Sequence, residues 1–321
     1  MTAFLVRRAA ESLLVLLAVS FVIYALIGLM PGDPIDLMLQ ADPSLTSADA
    51  ARLKALQGLD RPLVERWLAW LWRAAQGDFG YSRLYSVPAV AVLGGRLVNT
   101  LMLMGSSFVL ALIVAVPAGV WAAARPGSVF DRLTNLVAFA GFSVPAFWLG
   151  MLLIILFAVR LGWLPAGGTA SLDGGGPLDR ARYLALPVLT LTLLTAGTFL
   201  RFVRAAMQET LREPFIRTAR ALGVGGCRLL LRHALPHAML PVITMIALSF
   251  GSLFSGALVV ETTFAYLGVG KLIFDAILGS DFNLALLALM LATLVTLLSN
   301  LAADLAYAWL DPRISYAERR H

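Results

Sequence analysis

The chain has 321 residues, of which 60% are hydrophobic and 14% charged, and 25 Lys and Arg against 19 Asp and Glu give a net charge of +6. Soluble domains carry about 45–50% apolar and about 25% charged residues, so a soluble enzyme and a disordered chain are both excluded, and a polytopic membrane protein remains. Basic cytoplasmic loops explain the positive sign without a nucleic-acid partner. The single cysteine, Cys227, excludes an intrachain disulfide and a cysteine-based metal cluster.

Arg7 and Arg8 precede an apolar run from Ser12 to Met30, about 28 Å long as a helix and enough to span. The run ends in Met30-Pro31-Gly32-Asp33-Pro34 without a small-x-small cleavage site, so it reads as an uncleaved first span rather than a signal peptide. Six spans are expected, at about 11–30, 100–124, 133–159, 184–203, 239–261 and 284–307. Ser106, Ser107, Thr190, Thr192, Ser249 and Ser252 are tolerable inside them, because hydroxyls bond back to the helix. Pro117, Pro145 and Pro187 each remove a backbone donor and predict a kink. With six spans, the arginines of the N-terminus, the 125–132 loop, the 204–237 loop and the tail fall on one side. That places both termini in the cytoplasm.

The parts are then an N-terminal tip with the first span (1–30), an outer loop with amphipathic helices (31–99), a membrane-spanning core (100–310) that includes the cytoplasmic loop 213–241, and a cytoplasmic tail (311–321). In the outer loop, Thr46-Ser47-Ala48-Asp49 looks like a capping box that opens a helix running to about Gln57. Pro62 suits the first position of a second helix, in which Leu63, Trp67, Trp70, Leu71 and Ala74 share a face. That face suits either a helix anchored at the membrane surface by tryptophan or a docking ledge for an extracytoplasmic partner. Trp67, Trp70, Asp78 and Tyr81 are the candidates for docking.

No catalytic residue is expected. Gly268-Val269-Gly270-Lys271 is followed by Leu272 and lacks the first glycine of a phosphate-binding loop. Ser143 has no histidine at membrane depth to activate it, because the three histidines are His233, His237 and His321. His233 and His237 share a helical spacing, but Pro236 is expected to interrupt that helix and no third ligand is near, so no metal site is assigned. Ser143, Ser252, Ser255, Asn300 and Asp304, with Pro145 at a kink, are polar or broken points in or near spans. They suit either an aqueous translocation path or helix–helix hydrogen bonding.

The most informative stretch is 213–241. Pro214 suits a helix start and Gly223 a left-handed C-cap, with Phe215, Ala219 and Leu222 as a narrow apolar face flanked by Arg217 and Arg220. Gly225 and Gly226 give a second break, and a fresh short helix from Cys227 leads to Leu235-Pro236. Such an element suits insertion into a cleft on another protein, or a basic loop held at lipid headgroups.

This stretch resembles the EAA loop of ABC importer permeases. Arg217-Thr218-Ala219 stands where that motif begins and Gly223 takes its glycine place. Arg in the first position is usual in the peptide-permease branch, and Leu235-Pro236 and Leu240-Pro241 match the end of the loop. Leu29-Met30-Pro31-Gly32-Asp33-Pro34, Gly77-Asp78-Phe79-Gly80-Tyr81-Ser82, Ser143-Val144-Pro145-Ala146-Phe147-Trp148-Leu149-Gly150 and Leu310-Asp311-Pro312-Arg313-Ile314 extend the likeness over nearly the whole chain. Phe264-Ala265-Tyr266-Leu267-Gly268 departs from it, since the branch usually has Pro-Gly after the aromatic.

The resemblance implies an all-α, type I ABC importer permease fold in a bacterial inner membrane, with a peptide as cargo. It implies a second homologous permease, two ABC ATPase subunits that bind ATP and Mg, and an extracytoplasmic binding protein, with no cofactor on this chain. Coupling to the ATPases would fall to Arg217, Thr218, Ala219, Arg220, Gly223, Leu235 and Pro236. Nickel complexes, glutathione and sugars remain alternative cargoes, and an independent channel or carrier the alternative class.

Overall fold

The computed structural model describes residues 2–28, 52, 61–172 and 174–310, and these divide into two compact units, one of residues 1–97 and 272–295, the other of 98–271 and 296–321. Most described residues are helical, the two long exceptions being 76–88 and 161–176, and the only strand-like pairing among the described residues is an isolated bridge between Tyr81 and Pro88. In lipid the backbone must satisfy itself, so apolar runs of this length become helices.

The first unit holds α1 (Thr2–Gly28), α2 (Leu63–Ala75) and the starts of α3 (Ala89–Ala124) and α10 (Phe282–Leu310), with most of α9 (Val269–Leu278). Pro62 has φ −53° and ψ 145°, so it is the extended residue before α2 rather than its first helical one. Leu63, Trp67, Trp70, Leu71 and Ala74 form the covered face of α2, as their spacing predicts. The helix expected from Thr46 lies outside the described residues. The α3 helix starts at Ala89, well ahead of the expected boundary near 100. Between α2 and α3 the chain is pinned by Asp281. Its Oδ2 accepts from Ser82 Oγ at 2.5 Å and from the Leu84 N–H at 3.0 Å, while Oδ1 accepts from the Leu284 N–H at 3.2 Å and caps α10.

The second unit contains the rest of α3 and α10, with α4 (Val129–Ser143), α5 (Ala146–Leu153), α6 (Pro177–Thr210), α7 (Pro214–Ala221) and α8 (Leu235–Thr263). Among the described residues five helices are long and apolar enough to cross a membrane: Val6–Gly28, Ala89–Ala124, Pro177–Thr210, Gly226–Ile246 and Phe282–Ala302. A shorter apolar stretch, Ala146–Arg160, stands in the third expected place. Residues 133–159 are therefore not one kinked helix. Pro145 has ψ 137° and separates α4 from α5, because proline disfavours helical geometry at Val144 and cannot donate back. Pro117 and Pro187 remain inside unbroken helices.

Pro236 also fails to break its helix. Gly226–Arg228 runs through a π-helical segment, Leu229–Ala234, directly into α8. The wider π turn makes room where the proline ring would meet the Arg232 carbonyl. The second element of the loop is thus the start of a long helix.

Close backbone approach holds α4 on α6. A Cβ on Gly197 would lie 2.8 Å from the Ala138 carbonyl oxygen, and one on Gly141 would lie 2.8 Å from that of Leu193. Small residues permit such contact in the absence of a hydrophobic drive between helices. Ser106, Ser107, Thr190 and Ser249 bond back to their own helices as expected, Ser107 to Leu103 O at 2.7 Å and Thr190 to Leu186 O at 2.8 Å, whereas Thr192 donates across to Ser107 O at 3.3 Å. At the far end of α8, Glu261 is fully buried; it accepts from Thr100 Oγ1 at 2.6 Å and from the Lys271 N–H at 3.1 Å.

Candidate functional site

The site is built around α7, eight residues that follow α6 after a tight turn. Glu213 is extended, with ψ 148°, and Pro214 opens the helix, where its missing N–H costs nothing. The helix closes with two reversed bonds, Val224 N–H to Ala219 O and Gly223 N–H to Arg220 O, both 3.0 Å. This is a Schellman close, and it needs the left-handed φ of +82° at Gly223.

Ile216 and Ala219 are the buried residues of α7 and join a core of Val120, Val203, Met207, Leu229, Ala234 and Ala238. The expected apolar face of Phe215, Ala219 and Leu222 is only partly right. Phe215 sits to one side with its ring centroid 4.7 Å from that of His237, and Leu222 is 79% exposed. The C-cap turn rotates Leu222 away from the core side. Arg217, Thr218, Arg220, Leu222 and Gly223 lie on the exposed side, next to exposed Cys227 and Arg228. Leu235 packs against the core and Pro236 is exposed. A cleft of about 460 Å³ lined by Gln208, Glu209, Arg212, Glu213 and Pro214 flanks the start of α7.

Two turns upstream, Arg204 of α6 grips Asp131 of α4 through two hydrogen bonds, Nε to Oδ1 at 2.5 Å and Nη2 to Oδ2 at 3.0 Å. Asp131 also accepts from the Gly127 N–H at 2.8 Å and from Asn135 Nδ2 at 2.9 Å. It stands at the start of α4, ahead of that helix's apolar part, and the Arg204 guanidinium holds its carboxyl below the usual range. The mounting of α7 therefore combines a buried apolar contact with a braced α4–α6 junction.

The other expected site residues fall elsewhere. Ser143 Oγ bonds back to Phe139 O at 2.9 Å, beside Pro145 at the α4–α5 break. Asn300 and Asp304 lie one turn apart on α10, both half-buried. The side chains of Ser252 and Ser255 lie outside the described residues. Trp67 and Trp70 turn inward: Trp67 Nε1 donates to Ser20 Oγ at 3.1 Å and its ring meets Phe21 edge-on at 5.3 Å, while Trp70 stacks near Tyr24 at 6.1 Å and is buried. Asp78 accepts from the Gly80 N–H at 2.9 Å, and Tyr81 is exposed.

Sequence reasoning missed Ile216, the Asp131–Arg204 pair and the burial of Glu261. The i, i+3 spacing of Ile216 and Ala219 was a legible signal. The Asp131–Arg204 ion pair and the Thr100–Glu261 hydrogen bond join residues far apart in the chain and had none.

The fold is a set of membrane-length helices with a short amphipathic helix in the loop between α6 and α8. The chain belongs to the family described as binding-protein-dependent transport system inner membrane components, whose model matches residues 115–316, with the family's N-terminal model matching 1–91. It is 36% identical over 318 residues to the oligopeptide transport system permease protein AppB of Bacillus subtilis, a match that covers 98% of this chain and all of AppB. It is 36% identical over 313 residues to the glutathione transport system permease protein GsiC of Escherichia coli K12, covering 98% of this chain and 99% of GsiC. A chain of the inward-facing MetNI methionine ABC transporter superposes with a TM-score of 0.58 at 19% identity, covering 70% of this chain and 98% of that one. The fold is that of type I ABC importer permeases, and the chain is an inner-membrane permease subunit of an ABC importer.

Proposed function

We propose that this permease carries di- or oligopeptides across the bacterial inner membrane, with both termini in the cytoplasm. The name of its relative AppB favours that cargo, while that of GsiC favours the alternative in which the same importer class carries glutathione. In this reading a second homologous permease completes the pore and an extracytoplasmic binding protein delivers cargo. Two ATPase subunits hold ATP and Mg, while this chain binds no cofactor and catalyses no reaction.

The observation that carries the reading is the two-sidedness of α7. One side is locked into the bundle by Ile216 and Ala219, and the other offers Arg217, Thr218, Arg220 and Leu222 to solvent. A rigid element with one free face is what transmission of a partner's movement requires. Gly223 shapes the end of that element, Leu235 packs on its base, and Pro236 lies exposed within the helical path that follows it. Ser143, Pro145, Asn300 and Asp304, with Ser252 and Ser255, are assigned to the translocation path, and Asp78 and Tyr81 to the outer docking surface.

The test is a tagged pull-down from native membranes in mild detergent. Co-purification of a second permease, ABC ATPases and a binding protein that retains peptide is the expected result. Recovery of the chain alone, active in liposomes without ATP, would move the reading to an independent carrier. A binding protein loaded with a sugar or a nickel complex would keep the importer and overturn the peptide assignment.

A further inference from the structure

We propose that α2 is immersed in lipid, with Val64, Leu68 and Trp72 in contact with acyl chains rather than with water or a protein partner. At 100° per residue, the set packed on α1 ends at Leu71, and Val64, Leu68 and Trp72 carry the apolar arc on to about 200°. A helix lying on a soluble surface needs only about half that width. The second half of the arc is uncovered: Val64 is 52%, Leu68 51% and Trp72 70% exposed. Glu65, Arg66 and Arg73 are confined to the remaining arc.

Depth decides what covers this stripe. A Cβ on Gly28 would meet Leu63 Cδ1 at 3.8 Å, and Trp67 reaches Ser20 and Phe21. Ser20 lies about 12 Å along the axis from Gly28. The apolar span of α1 runs from Val6 to Gly28, so the contact with α2 occupies the last third of a membrane-crossing helix. Against a hydrocarbon core of about 30 Å, that is a position within one leaflet, where acyl chains and not water fill uncovered space. Exposed Leu13, Leu14, Leu17, Val22 and Leu26 make the same demand on α1 itself. The tryptophan that anchors α2 to lipid is thus Trp72, since Trp67 and Trp70 are consumed by the joint with α1. The lipid contact rests on α1 being a span, and the orientation proposed above makes the leaflet the outer one.

The test is nitroxide labelling in a Cys227→Ser background, one site at a time, at 64, 68 and 72 on the stripe and at 65 and 73 on the polar arc. The assembled transporter is placed in vesicles of phosphatidylethanolamine and phosphatidylglycerol. Collision with oxygen is expected to exceed collision with a water-soluble nickel chelate several-fold at 64, 68 and 72, with the order reversed at 65 and 73. Nickel collisions dominating at all five sites would place α2 in water and overturn the proposal. Low collision with both reagents at 64, 68 and 72 would mean a protein covers the stripe, and would overturn it equally. Three independent stripe positions keep the result readable if one label prevents folding, and neither readout depends on the cargo.

Discussion

Asp131 and Arg204 join α4 to α6 through two parallel hydrogen bonds, 2.5 and 3.0 Å long, with the aspartate side chain only 5% exposed and the arginine 25%. The fork geometry of guanidinium matches the carboxylate and fixes orientation as well as distance. Asp131→Asn keeps the shape but leaves the guanidinium facing an amide. Water reaches part of Arg204, so the expected loss is about 2 kcal/mol rather than the full cost of a buried orphan charge. Thermal unfolding of the purified permease measures it. Arg204→Lys is expected to recover only part of the stability, because an ammonium cannot make both bonds.

Gly223 separates backbone strain from surface chemistry. A Cβ there would meet nothing within 4 Å, so Gly223→Ala suffers only from its φ of +82°, an expected cost of about 1 kcal/mol with transport retained. Gly223→Asp adds the same strain and an acid beside Arg217 and Arg220. The expected outcome is normal membrane insertion with ATP hydrolysis uncoupled from uptake, read as ATP consumed per substrate moved. Normal coupling in this variant would remove α7 from the transmission role.

Ile216 and Leu222 should fail in opposite ways. Ile216 is fully buried, so Ile216→Ala empties a packed site and is expected to cost about 2–5 kcal/mol. Leu222→Ala changes an exposed residue, so its unfolding temperature should stay unchanged while the yield of ATPase-bound complex falls. Measuring both variants in both assays distinguishes a loosened mount from a damaged contact surface.

Gly197→Ala places a methyl against the Ala138 carbonyl, a contact that side-chain adjustment cannot relieve. Overpacking of this kind costs about 1–3 kcal/mol. Gly94→Ala, where a Cβ would meet nothing within 4 Å, is the matched control and should be neutral or mildly stabilising by the same melting assay.

Much of this architecture was legible in the residues. The apolar runs located the helices, and the Pro214 and Gly223 punctuation located both ends of α7, because those signals are local. The 63–74 spacing found the covered face of α2 for the same reason. Proline was harder to read: Pro145 stops a helix, Pro187 is absorbed, and Pro236 is accommodated by a π turn. The outcome depends on whether neighbours satisfy the freed carbonyl, which no local pattern encodes. Glu261 illustrates the other limit. It reads as a loop carboxylate at the end of a span, yet Thr100, on a different helix, draws it fully inside.

The π turn at Leu229–Ala234 has a mechanical meaning. Leu229 and Ala234 form the seat under Ile216 and Ala219, and the same helical path runs without a break to Glu261. From Leu235 to Glu261 is about 40 Å. A regular proline break at 236 would have put a hinge directly beneath the seat and dissipated any push there. The wide turn instead keeps axial continuity, so in the proposed coupling role the seat and the Glu261–Thr100 contact stand at the two ends of one helical path.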